Sequence, residues 1–119
     1  MRARKFWGWG YEDELLTAEE ENNIDKRIAK TFELDSVERI EIPKIENVYL
    51  PDSSLKCPNS LKAIVSNDKL ERLNHSYGKS FPDSARSILS QFPAPPDFVA
   101  FPNSEEDITN ILDLSLIHI

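Results

Sequence analysis

Pro96-Asp97-Phe98-Val99-Ala100-Phe101-Pro102-Asn103-Ser104-Glu105-Glu106-Asp107-Ile108 decides how this chain is read. Four consecutive apolar residues bounded by prolines predict a strand covered on both faces, because a strand with one wet face alternates instead. Ser104 with Asp107 three positions on predicts a capping box, with aspartate in place of the preferred glutamate or glutamine. Ile108, Ile111 and Leu112 then give the following helix its apolar stripe. Strand, short connection and capped helix form the opening unit of an α/β layer, which needs further strands after it. Here only Leu114-Ser115-Leu116-Ile117-His118-Ile119 remains, so the sequence reads as the N-terminal piece of something longer.

Upstream, Pro82-Asp83-Ser84 opens a helix with Ala85, Ile88, Leu89 and Phe92 on one face, since proline suits a first turn where its missing donor is unpaired anyway. Pro93, Pro95 and Pro96 are expected to stop it and form a stiff crossing. Asn59 or Ser60 is placed to cap a short helix through Leu61, Ala63, Ile64 and Val65, and Lys69-Leu70-Glu71-Arg72-Leu73 to add another turn. Residues 34–58 scatter Val37, Ile40, Ile42, Ile45, Val48 and Leu50 among three prolines. That pattern predicts an extended arm with at most short edge strands.

Thr17-Ala18-Glu19-Glu20 is a helix start: a threonine cap, a glutamate three residues later and acid in the first turn, where it suits the helix dipole. Ile24, Ile28 and Ala29 recur at helical spacing, and the helix is expected to end near Thr31 or Phe32. Before it, Arg2 to Tyr11 interleaves four aromatics with Gly8 and Gly10. Glycine weakens both helix and strand, so this is an irregular segment whose rings, Trp7 and Trp9 above all, are there to be buried on a larger surface.

With 39% hydrophobic residues and 3 glycines, about 42% of the chain is apolar, slightly below the ordinary globular range. A chain of 119 residues builds one modest domain with a thin core. The net charge is −7, from 14 basic and 21 acidic residues, which gives no electrostatic reason to bind nucleic acid. Phe6–Tyr11 is too short for a secretory apolar segment and runs into Glu12-Asp13-Glu14; no stretch approaches the ~20 apolar residues of a membrane span. Cys57 stands alone, in keeping with a reducing, cytoplasmic setting.

Candidate chemistry is sparse. His75, of a residue type that can serve as base or ligand, is followed by Ser76, Tyr77 and Lys79, yet a metal site needs more than His75, Cys57 and His118, and adjacent Ser76 and His75 do not present nucleophile to base. The simpler reading is a turn in which His75 and Tyr77 make hydrogen bonds and Gly78 allows an unusual backbone angle. Cys57, with only Lys56 nearby, reads as a structural thiol, and the acids of 12–21 as a solvated face. All three glycines lie at 8, 10 and 78, so there is no glycine-rich phosphate loop. Hence no catalytic, cofactor-binding or metal residue is assigned.

Three separated pieces nevertheless point one way. Lys5-Phe6-Trp7-Gly8-Trp9-Gly10-Tyr11 resembles the tryptophan–glycine opening of the alkylglycerone-phosphate synthase group. His75-Ser76-Tyr77-Gly78-Lys79-Ser80 with the helix after it resembles the segment that precedes the flavin domain there. Residues 96–108 resemble the first strand and helix of a vanillyl-alcohol-oxidase-type (PCMH-type) FAD-binding domain. Residues 34–74 match only in general character.

The resemblance implies an α+β chain: an N-terminal irregular and helical region over 1–95, then an incomplete FAD-binding domain over 96–113. It implies FAD and a small-molecule substrate for the full-length parent, either an oxidoreductase or an alkylglycerone-phosphate synthase-like enzyme, with a homo-oligomer left open. The phosphate loop and the group's catalytic tyrosine and histidines fall beyond Asp113, so the chain alone is expected to bind no flavin and to be inactive. Residues 114–119 are what a transposase mosaic-end sequencing adapter encodes (CTG TCT CTT ATA CAC ATC), and we read them as such, which removes His118 from consideration. The alternative is that these six residues continue the helix or form a strand. The rival function is a small acidic interaction module, complete as written, that presents the Phe6–Tyr11 aromatic cluster.

Overall fold

The computed structural model describes residues 2–117. Four helices and one two-stranded antiparallel sheet make up its regular structure, in an α+β arrangement: α1 (Ala18–Phe32), β1 (Val65–Ser66), α2 (Lys69–Asn74), α3 (Phe81–Ile88), β2 (Val99–Ala100) and α4 (Glu105–Ile117). Among the described residues no helix is long and apolar enough to cross a membrane.

α1 starts where the sequence says it should. The Thr17 hydroxyl accepts from the Glu20 N–H, and the Glu20 carboxylate accepts from the Thr17 N–H, closing both halves of a capping box. It ends at Glu33, whose left-handed backbone (φ 54°) lets its own N–H and that of Leu34 reach back to the Ala29 carbonyl. What the sequence did not convey is that α1 buries none of its residues. The extended arm over 34–58 is as expected, relieved by one 3-10 turn at Ile45–Asn47, and its Val48 is buried completely enough to anchor it.

The stretch after Pro58 differs from expectation. Instead of a helix through Leu61–Val65, a 3-10 turn at Asn59–Leu61 leads into β1. β-branched Val65 and the tight turn before it favour an extended ladder partner over a helix. Val65 pairs with Ala100 and Ser66 with Val99, antiparallel. β2 is therefore no doubly covered strand among the described residues: Val99 is buried on one face, Ala100 on the other is only partly covered, and Phe101, just past the strand, is 47% exposed. α2 is capped by Asp68, whose side chain accepts from the N–H groups of Leu70 and Glu71.

α3 is shorter than its periodicity predicts. It runs only to Ile88, and Ser90 turns left-handed (φ 56°) so that the Gln91 N–H bonds to the Arg86 carbonyl. Phe92 thus leaves the helix and enters the core from the chain beyond, while Leu89 stays exposed; the prolines follow an end already made. α4 has the expected box, Asp107 N–H to Ser104 Oγ and Ser104 N–H to Asp107 Oδ2, both 3.1 Å. Its helix continues through Leu114–Ile117, and Ile108 and Leu112 face solvent rather than a core. His118 lies outside the described residues.

The core is small: Phe6, Val48, Leu73 and Phe92, with Trp7, Ile45, Leu50, Leu70 and Tyr77 packed on it. The N-terminal loop, the arm, α2 and the chain just after α2 and α3 contribute, so residues far apart in sequence meet there.

Candidate functional site

The two motifs that carried most of the resemblance, Lys5–Tyr11 and His75–Ser80, come together in one junction. Residues 3–12 form a tight reversal, with Arg4 bridged to Tyr11 and the Lys5 N–H bonded to the Gly10 carbonyl at 3.1 Å. Gly10 takes φ +83°, a backbone that favours glycine, and the movable end of Glu14 stands 2.5 Å from where a Cβ would be. Gly78, expected to hold the unusual angle, is not among the residues with positive φ. Arg2 closes the loop from outside, bonding Asp13 at 2.7 Å and Glu14 at 3.1 Å, with its guanidinium 4.2 Å from the Tyr11 ring centre. The hydrogen bond from Arg2 holds the Asp13 carboxyl below the usual carboxylate range.

Lys79 stitches this loop to the body. Its ammonium donates to the carbonyls of Phe6 (2.9 Å) and Lys5 (3.2 Å) and to Asn74 Oδ1 (3.4 Å), while its own carbonyl accepts from the Trp9 indole N–H at 2.9 Å. Burial pushes its pKa down from the ordinary lysine value. Those bonds bring Phe6 into the core at 3% exposure and set its ring 6.3 Å from Phe92, on which Tyr77 also stacks at 5.7 Å. The expectation for the tryptophans is half right. Trp7 is partly buried, but Trp9 remains 77% exposed and contributes its N–H rather than its ring.

The other candidates are engaged in the same structural work. Ser76 Oγ donates to the Arg72 carbonyl at 2.7 Å, facing away from any base. His75 Nδ1 lies 2.8 Å from the Glu71 carbonyl and 3.7 Å from its carboxylate, with the ring edge-on to Phe101. Cys57 is half-buried, its sulfur 3.4 Å from the Pro58 carbonyl. Among the described residues no group of three or more histidines, cysteines and carboxylates is gathered for a metal ion. A cleft of about 500 Å³ opens beside the junction, bordered by Arg2, Arg4, Tyr11, Asn74, His75 and Phe101.

Sequence reasoning missed Arg72. Read only as part of a helical turn, it is 8% exposed and donates to the carbonyls of Pro96 (2.7 Å) and Pro51 (2.8 Å), tying arm, α2 and the approach to β2 together. Arginine's forked donors suit two separate carbonyls as lysine's would not. Asp97 adds a parallel tie. Burial works to raise its carboxyl, but hydrogen bonds from the Ser54 N–H and hydroxyl outweigh that and hold it low.

The glycines do not form a dinucleotide cradle. The space at Gly10 is occupied by the Glu14 carboxylate and that at Gly78 by Asp83 Oδ2 at 3.1 Å, each of which would repel a pyrophosphate. Gly8, by contrast, faces open space.

In fold the chain is an α+β segment like one carried inside a solved alkyldihydroxyacetonephosphate synthase. The two superpose with a TM-score of 0.67 at 20% identity, over 95% of this chain and 26% of that one. Among curated proteins it is 30% identical over 93 residues to the alkyldihydroxyacetonephosphate synthase of Dictyostelium discoideum, and 25% identical over 111 residues to that of Trypanosoma brucei brucei. These matches take in 72% and 89% of this chain but only 15% and 17% of the relatives' own length. No protein-family profile matches. The chain is thus alkyldihydroxyacetonephosphate synthase-like, and it corresponds to a limited segment of such proteins.

Proposed function

We propose that the chain is the N-terminal segment of a cytoplasmic, FAD-dependent enzyme of the alkyldihydroxyacetonephosphate synthase-like group that acts on a small-molecule substrate. Residues 1–95 precede the flavin domain and 96–113 begin it. The segment scaffolds; it supplies no catalytic group and holds no flavin by itself. The observation that carries the reading is the sequence match to two synthases over most of this chain and a small part of each of them. The carboxylates standing in the spaces at Gly10 and Gly78 support the second half of it.

Titrating FAD into the purified chain should leave flavin fluorescence unquenched; stoichiometric quenching would mean that the segment holds a cofactor site. Reading the gene onward should show a further strand and a glycine-rich loop soon after α4. A genomic frame that stops or diverges there without such a loop removes the parent enzyme. The same read decides residues 114–119, which we hold to be adapter-encoded: a contig that continues in frame through those codons makes them native.

The alternative of a self-contained module using the Phe6–Tyr11 cluster has less to stand on. Phe6 is in the core and Trp7 partly buried, leaving Trp9 as the cluster's one large exposed ring.

A further inference from the structure

α1 and the arm after it carry an apolar surface with nothing packed on it. Ile24 is 41% exposed, Phe32 69% and Ile40 66%, and a hollow of about 240 Å³ lies among Ile24, Arg27, Ile28, Thr31 and Phe32. Arg39 folds the arm back on the helix, donating to Asp25 at 2.6 Å and Glu21 at 2.5 Å. That clamp ties the arm beside exposed Ile40 and Ile42 to the helix that carries the hollow. The chain as a whole is 57 × 27 × 23 Å with a radius of gyration of 18.7 Å, against about 13–14 Å for a compact chain of this length. Exposed apolar side chains grouped around such a hollow mark an interface.

We infer that this face packs against the remainder of the same polypeptide, an apolar side chain entering the Ile24–Phe32 hollow with an acidic group beside it to meet Arg27. This rests on the reading that the chain is a segment of a longer enzyme. The occupant is chosen from the structural match, which covers 95% of this chain; the unmatched twentieth is shorter than α1, so the superposed fold includes at least part of that helix. The same layout therefore exists in a protein of which this segment is only 26%, where a large body of further chain is available to cover it.

Amide hydrogen exchange along α1 tests the inference, measured in the 119-residue chain and in the full-length protein encoded by the uninterrupted reading frame. Protection at Ile24–Thr31 at least 100-fold greater in the full-length protein is the expected result, abolished by Ile28→Asp and reduced by Arg39→Ala. Equal exchange in the two proteins overturns it, and needs no variant to fold. Protection already present in the short chain, lost on dilution together with a dimeric mass, also overturns it and makes a second copy the occupant. Flavin content of the full-length protein is read separately. A protein without FAD but with α1 protected would remove the proposed function while leaving this contact in place.

Discussion

Two parts of the chain obey the same local rules with opposite outcomes. α1 has a complete capping box, acid at its start and an apolar stripe, and buries nothing; the junction around Lys79 has little regular structure and holds the core. Local signals fix where a helix begins and ends, but burial is decided by what arrives from elsewhere in the chain. In the junction the arrivals are single bonds from side chains to distant carbonyls. Arg72 reaches Pro51 and Pro96, and Lys79 reaches Lys5 and Phe6.

This contrast can be broken by mutation. Leu73→Ala, at 1% exposure in the core, should cost about 2–5 kcal/mol and abolish cooperative melting, whereas Ile24→Ala on α1 should cost less than about 1 kcal/mol in this chain. Equal losses by chemical denaturation would mean that α1 belongs to the cooperative unit. Arg72→Met should follow at about 2–3 kcal/mol, because two carbonyls lose their donor, and Arg72→Lys should recover only one of them. Lys79→Met should cost about 1–2 kcal/mol and release the N-terminal loop. Tryptophan emission should then shift to longer wavelength as Trp7 becomes wet, and an unchanged spectrum would show that Lys79 does not hold the loop. Thr17→Ala should lower α1 helicity by about 1 kcal/mol, seen by circular dichroism, without moving the melting of the core.

Acid should sharpen the same division. The Glu20 carboxyl is held low by the Thr17 N–H and hydroxyl, and the Asp13 carboxyl by Arg2. A depressed carboxyl stabilises the fold above its unfolded pKa of about 4, and that contribution disappears as the pH falls through the lower folded value. Between neutrality and the onset of that window both contributions are constant. Below pH about 4, amide signals of α1's first turn and of residues 2–14 should change before those of the Leu73 core. Simultaneous loss would show that the two regions unfold as one.

The starts of α1, α3 and α4 were legible because their signals are local: the Thr17 and Ser104 caps and the first-turn Pro82 each act within one turn. The resemblance was legible for the same reason, as short motifs in a fixed order. Three things were not. β1 hides in Val65-Ser66, too short to show a period, and exists because β2 pairs with it from more than thirty residues away. The end of α3 at a left-handed Ser90 breaks a sound apolar pattern without a glycine to announce it. Arg72 looked like any surface arginine, since nothing near it in sequence shows that two carbonyls will converge on it.

Lys79 also sets a clock. The carbonyls it binds belong to residues 5 and 6, so the aromatic loop lacks these ties to the body until residue 79 has been made. At 5–20 residues per second, synthesis leaves Phe6, Trp7 and Trp9 undocked on the order of 4 to 15 seconds. During that interval three large rings lie close in sequence to Arg2, Arg4 and Lys5 without the ties that Lys79 later makes. A chaperone that favours aromatic residues flanked by positive charge would meet its target there, before the Lys79 ties close.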